Sequence, residues 1–264
     1  MRFLSVVLIL SMVMTMLLGS TAMAAAKSKK RSKNATKIPV LTYHRIYADG
    51  ARKDPGEIAD RYVITVSKFD QQMSWLKQKG YRTITCDEFY RWKRGKLRLP
   101  ARSVLITIDD GHAKSIENMA TVLRKYGFKG TAFVIGKTTL NKNGSYYITY
   151  DRIREMQKTC PQIEFQSHTY NLHRPDAYKK VSKKGFMQDA AQMKALYGFK
   201  YVAYPNGRQS SKMIKAYKKS GLKMGFLFGK GKNGYATRKQ NIYKLKRIEV
   251  SNTMSMARFK KWCK

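Results

Sequence analysis

Two carboxylates stand side by side in "VLITIDDGH", at Asp109 and Asp110, in a chain with only sixteen acidic residues against fifty-four basic ones. The apolar run before them reads as a buried strand, so both charges fall at its carboxyl end. Adjacent carboxylates there repel each other and lose hydration, and a cation is the natural compensation. The plainer explanations, a turn at Asp110-Gly111 or a helix cap at Asp109, each need only one acid. Two of the four histidines, His168 and His173, lie in "SHTYNLH", just past a second apolar run, "IEFQS". Five residues apart, they would point about 140° from each other on a helix. They can instead converge from a strand end and the loop after it. With the Asp-Asp strand end they suggest a two-histidine, one-carboxylate metal site with open positions. His44 ends the first strand, "VLTYH", whereas His112, after Gly111, is expected at a helix start without catalytic duty. Arg247 lies inside "KLKRIEV", which reads as a strand. A buried arginine needs an anionic partner, and Asp109 is one candidate.

The elements that must position these residues follow from periodicity. From Ile38 onward, short apolar runs alternate with patterns of helical period. "SKFDQQMSWLKQKG" reads as a helix capped at Ser67, and "TCDEFYRWKRG" as one with a Thr85/Glu88 capping box. "AKSIENMATVLRKYG" reads as a helix ending at Gly127. Strand candidates include "SVLITI", "GTAFVIG", "KYVAYPNG", "LKMGFLFG" and "YKLKRIEV". Strands alternating with helices of 10–15 residues predict repeated βα units and a mostly parallel sheet. About seven such units are enough to close a barrel, with chemistry at the carboxyl ends of its strands.

These motifs, in this order, resemble the polysaccharide deacetylases of carbohydrate esterase family 4, the NodB-homology domain. "TIDDG" (Thr107 to Gly111) is similar to the family's first motif, "SHTYNLH" to its second, and "AYPNG" (Ala203 to Gly207) to its third. The resemblance implies a distorted (β/α) barrel of about seven parallel strands over residues 38–264. It also implies a metal-dependent N-deacetylase acting on N-acetylglucosamine polymers, either peptidoglycan or poly-N-acetylglucosamine. Asp110, His168 and His173 would hold the metal, zinc in the simplest case, with cobalt or nickel as alternatives. Asp109 would be the general base. Asn206, within Tyr204-Pro205-Asn206, would offer a backbone N–H to the oxyanion, and Tyr204 and Tyr170 would line a sugar subsite. The His-His spacing is one residue longer than the family's usual one, and the third motif lacks its arginine. Both departures are similar to the poly-N-acetylglucosamine deacetylase subgroup, which takes its general acid from an early Tyr-His strand. His44 fits that place, and no histidine follows His173. Arg247 would replace the missing arginine and orient Asp109. A non-catalytic polysaccharide-binding module on the same fold is the alternative reading.

Residues 1–26 carry a basic start, an apolar run from Phe3 to Leu18 and an Ala-x-Ala pattern, the layout of a secretory signal peptide. An uncleaved anchor would be the other outcome, and both put the body of the protein outside the cytoplasm. Residues 27–37 ("KSKKRSKNATK") read as a basic, disordered linker. Cys86, Cys160 and Cys263 are too few and too scattered for a zinc knuckle or a disulfide framework, and a single pairing stays open. The net charge of +38 draws in polyanions. For an exported chain these are anionic wall polymers or a membrane surface rather than nucleic acid. No feature calls for more than a monomer.

Overall fold

Parity along the strands decides which side chains meet. The computed structural model describes residues 34–51, 60–141, 146–229, 231 and 233–264. Its strands, in chain order, are β1 (Lys37–Ile38), β2 (Val40–Tyr43), β3 (Arg45–Tyr47), β4 (Val63–Thr65), β5 (Arg82–Thr83) and β6 (Ser103–Ile108), then β7 (Gly130–Val134), β8 (Ile163–Ser167), β9 (Tyr201–Ala203), β10 (Met224–Phe226), β11 (Ala236–Thr237) and β12 (Ile248–Glu249). Parallel pairing in the order β10-β9-β8-β7-β6-β2-β12 makes the main sheet, with β5 added beside the start of β6. The gap between β10 and β12 is bridged by one segment. Leu245 pairs with Phe226 of β10, and three residues later Ile248 pairs with Leu41 of β2. This is the distorted (β/α) barrel expected from the alternation of strands and helices. Every residue of β2, β6 and β7 is buried, as in a parallel sheet covered on both faces.

Successive side chains on each strand point to opposite faces. Val40, Leu105, Phe133, Ala203 and Phe226 form one core, completed by Phe89 and Trp92 of the helix Cys86–Lys93. Leu41, Tyr43, Val104, Ile106, Ile108, Ala132 and Val134 form the other. That core takes in Phe69 and Met73 of the helix Val66–Gln78 and Ile116 and Leu123 of the helix Ala113–Tyr126. Even positions of β2 and odd positions of β6 therefore face the barrel interior. There the Thr42 and Thr107 hydroxyls lie 3.4 Å apart. The same alternation, carried past the strand ends, delivers His44 and Asp109 to the carboxyl mouth of that interior.

Local signals mostly match the observed boundaries. The Thr85/Glu88 capping box is present, and Gly127 ends its helix in the left-handed conformation at φ 65°. Thr65 rather than Ser67 caps the helix Val66–Gln78: the Thr65 hydroxyl accepts from Lys68 N, and Ser67 already lies inside the first turn. "YKLKRIEV" is a regular strand only at Ile248–Glu249, its earlier part crossing from β10 to β2. The expected signal peptide, 1–26, lies outside the described residues, as does 27–33 of the expected linker. The rest of that linker is not disordered. The folded unit starts at Asn34, which bridges Pro100, and the Ala35 carbonyl accepts from the Trp92 indole. Two-residue strands such as β1 and β11 are too short to leave a period-2 signal, which is why this edge was misplaced. The three cysteines are buried and unpaired. Among the described residues, no helix is long and apolar enough to cross a membrane.

Gly207, after β9, shows how tightly the carboxyl mouth is built. Its φ is +60°, and an added Cβ would lie 1.9 Å from the Phe228 carbonyl oxygen. Gly207→Ala should lower stability by roughly 2–5 kcal/mol through left-handed strain and overpacking. A urea-unfolding midpoint equal to that of the parent would show that this backbone contact is not made.

Candidate active site

Asp109 and Arg247 meet face to face inside the barrel mouth. Arg247 Nη1 donates to Asp109 Oδ1 at 2.8 Å and Nη2 to Oδ2 at 2.6 Å. Its Nε donates to the Leu227 carbonyl at 2.8 Å, so the guanidinium is held from both ends. Both side chains are almost wholly buried, 0% and 2% exposed. Burial pushes the Asp109 carboxyl up, but the charge and hydrogen bonds of Arg247, together with the fields of His168 and His44, outweigh it and leave Asp109 below its ordinary range. The partners are 138 residues apart in sequence. The strand parity of β6 and the closing segment before β12 bring them together.

Asp110 would point away from Asp109 if the strand continued. It does not: Asp110 has φ 72° and Gly111 φ 84°. The left-handed turn is costly for a residue with a side chain, and it lets neighbouring carboxylates serve one mouth. Asp110 Oδ1 lies 3.3 Å from His168 Nε2 and 3.2 Å from His173 Nε2. Asp110 Oδ2 accepts from Arg45 Nη1 at 3.2 Å. Burial opposes ionisation of Asp110 most, but its contacts with His168 and His173, together with the field of His44, outweigh it and hold the carboxyl well below the ordinary carboxylate range. His173 is raised from its ordinary value despite partial burial, again through Asp110.

The donor set fits a divalent cation. One ligand atom each from Asp110, His168 and His173 lies within 4.8 Å of the other two. His168 Nδ1 is 2.8 Å from the Ala203 carbonyl. A carbonyl only accepts, so Nδ1 carries the proton and Nε2 presents a lone pair to the site, a common arrangement for ligating histidines. His173 is one-third exposed and leaves one side of the cluster open.

The five-residue spacing of the histidines is carried by a loop. Thr169 is left-handed at φ 69°, and Thr169 N donates to Ser167 Oγ. The loop is then pinned by Asp189, which accepts from Tyr170 N and Asn171 N at 2.9–3.1 Å and from the Tyr217 hydroxyl at 3.3 Å. Sequence reasoning missed Asp189 and Arg45. For Asp189 there was a signal: it shares the buried face of the helix Lys183–Tyr197 with Phe186, Ala190 and Met193. An acid on an apolar stripe needs a buried partner.

His44 is buried between Tyr62 and Phe228, with ring centroids 4.9 and 4.6 Å away. Among the described residues its Nδ1 has no hydrogen-bond partner. Burial lowers its pKa, against the opposing fields of Asp110 and Asp109. His112 caps the helix Ala113–Tyr126, accepting from Ser115 N. The expectation for Tyr204 is corrected. Tyr204 is fully buried, stacked 6.4 Å from Tyr217, with its hydroxyl against Gly225, so it packs the core and cannot line an open sugar subsite. Pro205 is likewise buried, at the start of a 3₁₀ turn. Asn206 is exposed at the tip of that turn with φ 54°.

A parallel barrel with a histidine–carboxylate cluster at the carboxyl ends of its strands, beside a separate ionised aspartate, defines a hydrolase-type centre. Residues 96–225 match the family model described as polysaccharide deacetylase. The poly-beta-1,6-N-acetyl-D-glucosamine N-deacetylase of Staphylococcus epidermidis is 30% identical over 270 residues, which cover 91% of this chain and 88% of that protein. The chain belongs to the polysaccharide deacetylase family. Two solved structures share the fold. The Streptococcus pyogenes deacetylase PplD in complex with acetate superposes with a TM-score of 0.74 at 24% identity, covering 87% of this chain and 99% of that one. IcaB from Ammonifex degensii gives a TM-score of 0.67 at 22% identity, covering 87% and 97%.

Arg247→Met should leave the Asp109 charge buried without a partner and cost about 3–5 kcal/mol of stability. Urea unfolding measures this, and a loss below about 1 kcal/mol would mean that the pair does not exist in solution.

Proposed function

We propose that the protein is an exported, metal-dependent deacetylase that hydrolyses N-acetyl groups on a polymer of N-acetylglucosamine and releases acetate. The observation that carries this reading is the division of labour between neighbouring carboxylates. Asp110 converges with His168 and His173 on one point, while Asp109 is held ionised and apart by Arg247. Export is supported by the signal-like residues 1–26. The polymer is supported by the name of the staphylococcal relative.

Asp110, His168 and His173 would hold the cation, zinc in the simplest case. When bound, it supplies Lewis-acid polarisation of the acetyl carbonyl and a water of lowered pKa, near ~7 for zinc. Asp109 accepts the proton of the attacking water, and Arg247 keeps that carboxylate ionised and oriented. The Asn206 backbone N–H is the donor assigned to the developing oxyanion. Its turn follows the strand whose Ala203 carbonyl fixes His168. His44 gives a proton to the departing sugar amine. Burial lowers its pKa, which makes its protonated form a stronger acid. Tyr62 and Phe228 form the apolar wall that keeps this histidine desolvated.

Metal content and turnover separate these roles. The parent protein should carry about one zinc, and His168→Ala with His173→Ala should carry almost none; equal zinc in both would remove the centre. Asp109→Asn and His44→Ala should keep the metal and lose about 10²–10⁴-fold in acetate release from an N-acetylglucosamine oligomer. Turnover unaffected by either change would sink the corresponding assignment.

A further inference from the structure

The strongest feature outside the site is a layer of positive charge. Residues 177–223 contain eleven lysines, Arg208 and a single acid, Asp189. All twelve cations are exposed, while Asp189 is turned inward to bind the His168–His173 loop. The surface of this segment is therefore strongly cationic; among the described residues Lys180 alone of the twelve is ion-paired, to Asp176 just before the segment, at 3.3 Å.

The fold gathers these charges. The helices Lys183–Tyr197 and Ser211–Lys219 pack side by side. Lys212 at one end of the second helix donates to the Lys179 carbonyl. Lys219 at its other end shares a shallow groove with Lys183, Lys184 and Met187. Lys215 lies between them. The buried residues Met213, Ala216 and Tyr217 take another face of that helix. Lys212, Lys215 and Lys219 thus make a row about 10 Å long along the axis, with neighbours about 5–6 Å apart.

We infer that this face is a docking surface for a flexible, linear phosphodiester polymer with one anion per short repeat, such as a polyol phosphate of a cell wall. Three features select that partner. The cations are lysines almost throughout, point charges suited to a mobile phosphate chain rather than to planar, bidentate recognition. Among the described residues the one exposed large hydrophobic side chain is Leu140, outside this segment, so the face lacks the apolar anchor expected of a membrane-inserting surface. Its aromatic, Tyr178, is faced by Lys179 and Arg208 rather than offered as a stacking platform for bases. The layer adjoins the site through Asp189, which holds the ligand loop from the inner side of the helix whose outer side bears the lysines. A chain bound there would keep the barrel mouth beside the wall. The inference stands on charge and geometry and does not require the deacetylase reading.

The test uses the full chain and poly(glycerol phosphate) as the probe, with binding measured by calorimetry from 50 to 300 mM salt. Parent protein should bind with a steep salt dependence, each neutralised phosphate contributing about −0.7 to the log–log slope for a single-stranded polyanion. Lys212→Gln, Lys215→Gln and Lys219→Gln together should flatten that slope by about two and weaken binding at least tenfold at low salt. The same variant should melt like the parent and release acetate from an uncharged oligomer at the parent rate. A control removing three lysines elsewhere, Lys79→Gln, Lys96→Gln and Lys158→Gln, should change binding less than twofold. Equal losses in the two variants would show attraction to net charge alone and overturn the proposal. So would tighter binding to duplex DNA or to anionic lipid vesicles than to the polymer. Because turnover on the uncharged oligomer is read separately, failure of this docking surface and failure of the catalytic reading give different results.

Discussion

The buried Arg247–Asp109 pair is the interaction on which the rest of the site depends. Ionised side chains seldom survive in a barrel interior, because the desolvation cost is several kcal/mol per ion. Here it is offset by a bidentate contact, by the Leu227 carbonyl on the guanidinium and by Thr107 nearby. Arg247 comes from the segment that leaves β10 and joins β2, so the ion pair also ties the two edges of the sheet together. Closure of the barrel and ionisation of Asp109 are one structural event. A variant that opened that seam would also free the guanidinium that fixes the carboxylate.

A second constraint follows from the pleat. Two adjacent strand residues cannot both face inward, and chemistry that wants neighbouring carboxylates must break the strand between them. The left-handed backbone at Asp110 and Gly111 does this. Thr169 and Asn206, at the ends of β8 and β9, are left-handed as well. Among the described residues, all three non-glycine positions of positive φ sit where a strand hands over to a site loop. Strain of about 1–2 kcal/mol at such a position persists only when its surroundings over-determine it. At Asp110 they do, through Arg45 on one oxygen and the two histidines on the other.

What was legible in the sequence was whatever is encoded locally. The βα alternation, the capping box at Thr85 and the Gly127 terminator use contacts within a few residues, and they were placed closely. Asp109, Asp110, His168 and His173 stood out because polar residues at the ends of apolar runs violate the pattern of a core. Arg45 and Asp189 were not seen, because their partners lie far away in sequence: Arg45 meets Asp110, 65 residues on. Tyr204 was misplaced for a related reason. The third motif ends a strand, which suggested exposure, but β9 is only three residues long and Tyr204 turns into the core over Gly225.

The scarcity of acids links interior and surface. Among the described residues, the acids Asp109, Asp110, Asp189 and Glu249 are buried, and Glu164 is nearly so beneath Cys86 N, Thr131 and Gln166. Three of the five organise the site or its loop, and Glu249 anchors the Arg61 side chain beside β12. An acid committed to an internal partner contributes little to the field outside, especially where that partner is itself buried. The outward face is therefore more cationic than composition alone suggests. The excess is large over residues 177–223, where the single acid is needed to hold the ligand loop. Assembly of the site and exposure of a cationic layer thus share a cause: the fold places several of its few carboxylates where chemistry and loop geometry require them and leaves its lysines to the solvent.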